Sequence, residues 1–210
     1  MKNLWISIKI TLAMCVVLFV GYVLVLRLVA WVASPNDGEA PVVTYNGKVV
    51  GAANVGQVFT DSVYFWGRPS NVDYNGGGSG GSNKGTNNPE YLAQVEERID
   101  AFLAAHPYLS REEVPAEMVT ASGSGLDPDI SPRGAQVQVR RVAAARGLDE
   151  AVVQRLVDSL TQKPWLGLFG TAKVNVLRLN IALETLQPNV TASAGVRQAG
   201  GCGEGVSPEN

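Results

Sequence analysis

The sequence predicts an α+β protein, in which a single N-terminal transmembrane helix precedes one mixed domain that is helix-rich in its second half. Residues 4–33 are almost wholly apolar, an Asn-Gly pair separates two short runs of β-forming residues, and amphipathic helical patterns follow residue 88. These features divide the chain into an anchor (residues 1–33), a domain (residues 34–187) and a tail (residues 188–210).

The anchor is the most apolar part of the chain, and residues 10–26 carry no charge. About 20 apolar residues cross the hydrocarbon core of a bilayer, because a helix rises about 1.5 Å per residue. A cleaved signal peptide has a shorter apolar region and small residues before its cleavage site. The nearest possible sites here would place Leu28 or Trp31 at the position that needs a small residue. The segment therefore predicts a retained single-pass anchor.

Charges on either side of the anchor predict its orientation. Lys2 and Lys9 precede the apolar core, whereas Asp37 and Glu39 follow it. Positive residues stay on the cytoplasmic side, so we expect a cytoplasmic N-terminus and a domain outside the cytoplasm. Arg27, in the last turns of the span, opposes this bias but can extend towards the interface.

Small side chains within the anchor indicate where another membrane helix could pack. Ala13 and Gly21 allow the backbones of two helices to approach closely, and we expect this surface to contact a partner helix. The bilayer itself is the other partner that the anchor predicts.

The composition of the remaining chain excludes several classes of protein. Residues 34–210 hold 14 Lys and Arg against 19 Asp and Glu, and no basic stripe marks a nucleic-acid surface. Cys15 lies in the anchor and Cys202 in the tail, so no disulfide framework is expected. The tail has almost no large apolar residue, and we predict that it is disordered.

The sequence of the first part of the domain predicts a hairpin followed by loops. Asn46 and Gly47 stand between β-forming runs, and both central residues of such a turn require a positive φ. Residues 55–66 carry several aromatic side chains and predict a strand or an extended loop. Residues 75–88 are mostly Gly, Ser and Asn, which predicts a long flexible loop.

Capping residues mark the starts of the helices. Asn88 is a suitable N-cap, and Pro89 fits the first helical position. This helix is expected to end at His106, before Pro107. Three further helices are expected: from Ser131 towards Gly147, from Asp149 onward, and over residues 173–186.

The sequence offers little catalytic chemistry. Nucleophilic triads need a base, usually histidine, and the single histidine, His106, is expected to cap a helix or face solvent. A metal site built from His and Cys has no support. Residues 80–85 lack the spacing of a nucleotide-binding P-loop. We therefore expect no reaction by this chain alone, although its status as an enzyme stays open.

Residues 64–70 form the first unusual segment, in which three adjacent aromatic residues precede Gly-Arg-Pro-Ser. This composition indicates a rigid, partly exposed turn. It fits either an aromatic corner of the core, with Arg68 paired to a carboxylate, or a surface that binds a partner.

Residues 119–133 form the second unusual segment, in which small hydroxyl residues lead into Asp127 and Asp129 before a helix. Such a turn can ligate a cation through the two carboxylates, or present backbone N–H groups to an anion. The simpler alternative is that Ser131 and Asp129 cap the helix.

Together with the anchor, these segments resemble the C subunits of the bacterial Kdp potassium-transporting P-type ATPase. The similarity follows the order of the chain and covers nearly all of residues 1–187. Its motifs are residues 55–59, 64–70, 79–83, 86–89, 114–115, 119–135, 147–148, 168–170 and 174–183.

The resemblance implies a non-catalytic subunit of an inner-membrane complex that imports potassium with the energy of ATP. The implied partners are a channel-like subunit that selects K⁺, a P-type subunit that hydrolyses ATP with magnesium, and a small single-span subunit. No cofactor is expected to bind this chain tightly, and no nucleic acid is an expected partner.

The resemblance also implies a chaperone that raises the ATP affinity of the pump subunit. Candidate positions are Gln57, Arg68, Ser70, Ser122, Gly123, Ser124 and Gly125, and the candidates for a cation contact are Asp127 and Asp129. The predicted orientation places these residues outside the cytoplasm, so any effect on ATP would be indirect. Two alternatives are a nucleotide-binding regulatory module on the cytoplasmic side and a membrane-anchored extracytoplasmic hydrolase.

Overall fold

The computed structural model describes residues 2–186, so the predicted disordered tail lies outside the described residues. The α+β class is confirmed. Short 3₁₀ turns cover Pro35–Gly38, Arg111–Glu113 and Ala116–Met118. In chain order the other elements are α1 (Lys2–Cys15), a π-helical stretch (Val16–Tyr22), α2 (Val23–Ala33), β1 (Val42–Tyr45), β2 (Lys48–Ala52), α3 (Pro89–Ala105), β3 (Asp129–Ile130), α4 (Pro132–Arg146), α5 (Glu150–Leu160), β4 (Val174–Asn175) and α6 (Val176–Thr185).

The N-terminal segment is one helix of 32 residues, Lys2–Ala33, in which the π-helical stretch joins α1 to α2. Its most apolar window has a mean hydropathy of 2.6, and none of that window is buried against the domain. At about 1.5 Å per residue the helix is long enough to span a membrane.

The hairpin and the helix caps form where the sequence predicts them. Asn46 and Gly47 have φ values of 50° and 75°, and β1 pairs antiparallel with β2. The Asn88 side chain accepts a hydrogen bond from the Tyr91 N–H at 3.0 Å, so it caps α3. Ser131 and Asp149 cap α4 and α5 in the same way.

The last helix starts later than the sequence predicts, and the structure decides between the two alternatives left open for residues 55–66. The last helix begins at Val176 rather than at residue 173, because Val174 and Asn175 pair with β3 instead. Residues 55–66 form no strand, so the extended loop is the correct alternative. Residues 75–88 likewise contain neither helix nor strand.

The core lies where α4, α5 and α6 pack together around the short β3–β4 ladder. Their apolar faces are removed from water, which supplies most of the driving force for folding. Phe65 and Phe102 belong to the same buried cluster and extend this core. Its fully enclosed aliphatic residues include Val142, Val153, Val157, Val174, Leu179 and Leu183.

The aromatic loop, residues 62–66, has its backbone hydrogen bonds satisfied by side chains. The Asn180 amide accepts from the Phe65 N–H at 2.8 Å and donates to the Phe65 carbonyl at 3.0 Å. The Gln138 amide does the same for Trp66, at 2.8 and 3.2 Å. Each amide therefore replaces one residue of a neighbouring strand. Phe65 can be fully buried because the polar groups of its backbone are paired.

Two arginines complete the pairing of the aromatic loop. Arg141 donates from Nη1 to the Ser62 carbonyl at 2.5 Å and from Nη2 to the Tyr64 carbonyl at 3.0 Å. Arg146 donates from Nε to the Val63 carbonyl at 2.7 Å. The Arg141 guanidinium also lies 4.2 Å from the centre of the Trp66 ring, within range of a cation–π interaction.

His106 is enclosed beneath this loop. It ends α3, as expected, but it is fully buried, so the expectation that it could face solvent is wrong. Arg141 Nε donates to His106 Nε2 at 2.9 Å. Because a guanidinium can only donate, Nε2 must accept, and Nδ1 carries the proton that it donates to the Phe102 carbonyl at 2.7 Å. Both ring nitrogens are therefore occupied by the protein.

Burial lowers the pKa of His106 from 6.5 to about 4, and the charge of Arg141 acts in the same direction, whereas the Phe102 carbonyl opposes both. Burial also lowers the pKa of Arg141 to about 10. His106 is therefore neutral and Arg141 charged at neutral pH, as their hydrogen bond requires.

Replacing Gln138 with Leu should destabilise the domain, because it leaves the Trp66 N–H and carbonyl without their partner. We expect the free energy of unfolding to fall by about 2–4 kcal/mol. Gln136→Leu is the matched control, because Gln136 lies on the exposed face of α4. Its effect should stay within about 0.5 kcal/mol. Equal losses in denaturant titrations of the two variants would refute the role given to Gln138.

The domain should lose stability as the pH falls from 6.5 towards 4. The pKa of His106 is depressed in the folded state, so between these values the unfolded chain binds the extra proton, and the slope approaches about 1.4 kcal/mol per pH unit. His106→Gln should lack this component of the slope. Since the chain has a single histidine, parallel pH profiles for the two proteins would contradict the assignment.

Candidate functional site

Two loops that the sequence singled out lie against each other. Arg68 Nη1 is 3.0 Å from Asp127 Oδ2, and both side chains are about three-quarters buried. Arg68 therefore pairs with a carboxylate, as one of the two expectations for residues 64–70 stated. Asp127 Oδ1 also accepts from the Asp129 N–H at 3.0 Å, which fixes the carboxylate on both sides.

Ser70 closes the turn that follows Arg68. Its hydroxyl oxygen accepts from the N–H groups of Val72 and Tyr74, at 3.1 and 3.0 Å. The same hydroxyl donates to the Gly125 carbonyl at 2.7 Å. The Tyr74 hydroxyl donates back to the Arg68 carbonyl. Ser70 thus connects its own turn to the loop of residues 122–125.

The loop of residues 122–125 acts as a strap across the Gly-rich segment. The Ser122 N–H donates to the Pro69 carbonyl at 3.1 Å, and Ser122 is buried. The Ser124 carbonyl accepts from the Gly80 N–H at 2.9 Å and from the Ser79 hydroxyl at 3.0 Å.

The glycines of this strap are needed for close packing. Gly125 has a φ of +69°, and a Cβ there would lie 2.5 Å from the Val72 side chain. The Gly123 carbonyl lies 3.0 Å from the point where a Cβ on Gly81 would stand. A larger side chain at Gly125 or Gly81 would push the two loops apart.

Gln57 lies outside this cluster. Its amide donates to the Val50 carbonyl at 2.9 Å, and it occupies the space where a side chain on Gly51 would stand. It lines a separate cavity of about 300 Å³, together with Tyr64 and Glu184. Gln57 therefore fixes the hairpin, and the structure does not bring it together with Arg68.

Two cavities adjoin the cluster, and Arg68 lines both. The first, of about 330 Å³, is mainly apolar, and the second, the polar cavity, of about 400 Å³, is lined by several charged side chains. Within residues 2–186, the buried Nε of Arg68 has no hydrogen-bond partner. The first cavity is lined by Phe59, Trp66, Tyr74, Arg98, Phe102 and Met118, and the second by Glu117, Asp127, Asp129, Ser131 and Lys173.

Asp129 in the polar cavity has protein partners of its own. Its Oδ2 lies 2.6 Å from Lys173 Nζ, and its Oδ1 accepts from Asn175 Nδ2 at 3.3 Å. A cation at Asp127 or Asp129 would therefore compete with Arg68 or Lys173. In the described part of the chain, no group of three or more His, Cys, Asp or Glu side chains could hold a metal ion.

The start of α4 is built from Ser131 and Glu117 rather than from Asp129. Ser131 caps the helix by accepting from the Gly134 N–H at 3.0 Å. Its own N–H and hydroxyl donate to Glu117 Oε1, at 3.0 and 2.6 Å. The capping expectation is therefore correct for Ser131 and wrong for Asp129, because Asp129 bonds Lys173 across the β3–β4 ladder.

Sequence reasoning missed the partners of the aromatic loop: Gln138, Arg141, Arg146 and Asn180. One signal was available for α4. Gln138 and Arg141 fall on the same face as the apolar residues that α4 buries. A polar residue on such a face usually has a buried partner. Which backbone these side chains meet depends on tertiary contacts, which join Gln138 to Trp66 across 72 residues and Asn180 to Phe65 across 115.

Ala13 and Gly21 lie on the exposed surface of the N-terminal helix, and Gly21 belongs to its π-helical stretch. A Cβ at Gly21 would have only the Val16 carbonyl within reach, at 4.0 Å. The small residues are therefore not required by contacts within the described residues, and their proposed packing against a partner helix stays a prediction.

Comparison with known proteins identifies the chain's relatives. The family model described as "KdpC: K+-transporting ATPase, c chain" matches residues 4–185. The Potassium-transporting ATPase KdpC subunit of Bacteroides fragilis is 66% identical over 89% of this chain and 99% of its own length.

More distant relatives give the same result. The subunit of the same name from Bacteroides thetaiotaomicron is 63% identical over 88% of this chain and 98% of its own length. That of Caldanaerobacter subterraneus is 45% identical over 84% of this chain and 92% of its own length. The match includes both segments of the cluster around Arg68, as the resemblance predicts. The chain therefore belongs to the KdpC family, the c chains of K⁺-transporting ATPases.

Proposed function

We propose that this chain is a non-catalytic, membrane-anchored subunit that stabilises an ATP-driven potassium import complex and assists its ATP-hydrolysing subunit. The family match over residues 4–185 carries this proposal. Its partners would be a channel-like K⁺-selective subunit, a P-type subunit that uses ATP with magnesium, and a small single-span subunit.

The N-terminal helix supports the role of an anchor. Its apolar side chains are exposed along its length, including Trp5 and Trp31 near its two ends. Such exposure is costly in water and favourable in lipid. Ala13 and Gly21 are the positions that we propose for packing against a partner helix.

The family of the chain supports a bacterial inner-membrane location, and the flanking charges support an N-terminus inside and a domain outside the cytoplasm. In that orientation Arg68, Ser70 and the strap of residues 122–125 do not meet cytoplasmic ATP. Many polar groups of this cluster are also already paired with the chain itself. Assistance to the ATP-hydrolysing subunit would therefore pass through the anchor or through partner subunits.

The geometry of His106 argues against the alternative of an extracytoplasmic hydrolase. A general base needs a ring nitrogen that can reach the substrate. Both nitrogens of His106 are hydrogen-bonded within the core, and the residue is fully buried. The alternative of a nucleotide-binding module requires the domain to lie on the cytoplasmic side, so the orientation of the domain distinguishes it from the proposal.

Reporter fusions after Gln187 test the orientation. Alkaline phosphatase should be active there, and green fluorescent protein should be dark, because the flanking charges place the domain outside the cytoplasm. Green fluorescent protein joined to the N-terminus is the matched control and should fluoresce. The reverse pattern would overturn the orientation and favour the cytoplasmic nucleotide-binding module.

Charge variants test whether Asp127 and Asp129 attract potassium. The double variant Asp127→Asn, Asp129→Asn should raise the K⁺ concentration for half-maximal uptake about two-fold, an effect limited by screening. Arg68→Gln, Lys173→Gln removes the same two ion pairs but changes the charge in the opposite direction. If both double variants raise the K⁺ concentration for half-maximal uptake by the same factor, the carboxylates have a structural role only.

A further inference from the structure

The connection between α5 and β4 exposes a cluster of large apolar side chains, which we call the apolar tip (residues 165–169). Trp165 is 70% exposed, Leu166 71%, Leu168 81% and Phe169 61%. The other exposed large apolar side chains described in residues 34–186 are scattered valines and a single leucine. A contiguous apolar group of this kind marks an interaction surface.

The backbone holds the apolar tip in a defined shape. Trp165 and Phe169 exchange two backbone hydrogen bonds, at 2.9 and 3.0 Å, and their rings lie 5.6 Å apart. Leu166 has a φ of +53°, a conformation that is unfavourable for a branched side chain. Below the tip, Gln162 and Lys173 pair through their backbones, at 2.8 and 3.0 Å. The tip is therefore a closed hairpin-like projection with its apolar side chains outward.

The charge around the apolar tip differs from that of the domain. Residues 161–173 contain two lysines, Lys163 and Lys173, and no acidic residue. The chain after residue 33 holds more acidic than basic residues. Lys173 is paired with Asp129, whereas Lys163 is exposed. Trp, Leu and Phe beside an exposed lysine are typical of segments that lie in the head-group region of a bilayer.

Contacts within the domain place the base of the tip near Pro41, which lies eight residues after the anchor ends at Ala33. The Ala53 N–H donates to the Pro41 carbonyl at 2.8 Å, and Asn175 Nδ2 donates to the Ala53 carbonyl at 2.9 Å. Asn175 is two residues from Lys173, at the base of the tip. This path from Pro41 to Lys173 is no longer than about 20 Å.

The linker keeps the domain close to the membrane. Residues 34–41 join the end of the N-terminal helix to the domain, and they span at most about 28 Å when fully extended. The tip projects four further residues from Lys173. A tether of this length allows the exposed apolar tip to reach the bilayer, which favours lipid as the surface that the tip meets.

We propose that the apolar tip inserts into the head-group region of the bilayer, so that the domain contacts the membrane at a second point besides its anchor. The proposal rests on the membrane anchor of the proposed function, but it holds for either orientation of the domain. It gives Trp165 and Phe169 an interfacial role and Lys163 a contact with lipid phosphate groups.

Site-directed fluorescence in vesicles tests this inference. The full chain carries one cysteine at a time, Phe19→Cys, Asn87→Cys or Leu168→Cys, after Cys15→Ala and Cys202→Ser. Each is labelled with a polarity-sensitive fluorophore in vesicles of phosphatidylethanolamine and phosphatidylglycerol. Brominated lipids should quench the probes at 19 and 168 and leave the probe at 87 bright, because Asn87 is exposed in the Gly-rich loop.

Each result has a separate meaning. Quenching at 19 without quenching at 168 overturns the tip inference and leaves the anchor intact. A bright probe at 19 overturns the anchor, and the tip inference falls with it. If the probe at 168 is shielded only in the assembled complex, and lipid does not quench it there, the tip binds a partner subunit and the inference is wrong.

The native tryptophan gives a measurement without a label. In a Trp5→Phe, Trp31→Phe chain the remaining tryptophans are Trp66, in the domain core, and Trp165. Brominated lipid should remove most of the Trp165 contribution to the emission, and adding Trp165→Phe should abolish this loss. Emission that is insensitive to brominated lipid would contradict insertion of the tip.

Discussion

The domain depends on the pairing of a loop that belongs to no sheet and that carries the fully buried Phe65. The Phe65 side chain is fully buried, yet residues 62–66 pair with neither the β1–β2 nor the β3–β4 sheet. Unpaired buried N–H and carbonyl groups would each cost about 1–3 kcal/mol. Gln138, Asn180, Arg141 and Arg146 supply the missing bonds from α4 and α6. Side-chain amides and guanidinium groups therefore form the hydrogen bonds that an adjacent strand would otherwise supply.

This pairing also positions the candidate site. Trp66 is fixed by Gln138 and by the Arg141 guanidinium, and Arg68 follows two residues later. Arg68 then reaches Asp127 and lines both cavities. A rigid aromatic loop thus holds the arginine between an apolar and a polar surface. The arrangement suits a subunit that presents fixed surfaces to its neighbours.

The sequence predicts those parts of the structure that local chemistry determines. The N-terminal helix, the Asn46-Gly47 turn and the caps at Asn88, Ser131 and Asp149 all follow from short-range rules. The start of α6, the burial of His106 and the Lys173 partner of Asp129 do not. They depend on contacts between distant segments, such as the β3–β4 ladder, which joins residues more than 40 apart in sequence. Arg68, Ser70 and residues 122–125 are predicted as one candidate site by the family resemblance, which extends along nearly the whole chain, and not by their spacing in the sequence.

Hydrogen exchange of the Phe65 and Trp66 amides tests the central claim most directly. If Asn180 and Gln138 pair these amides as a strand would, both should exchange as slowly as the amides in the middle of α4, through opening of the whole domain. The comparison is made in the full chain, with the amides of residues 75–88 as the fast reference. Exchange of Phe65 and Trp66 at the rate of that loop would contradict the account.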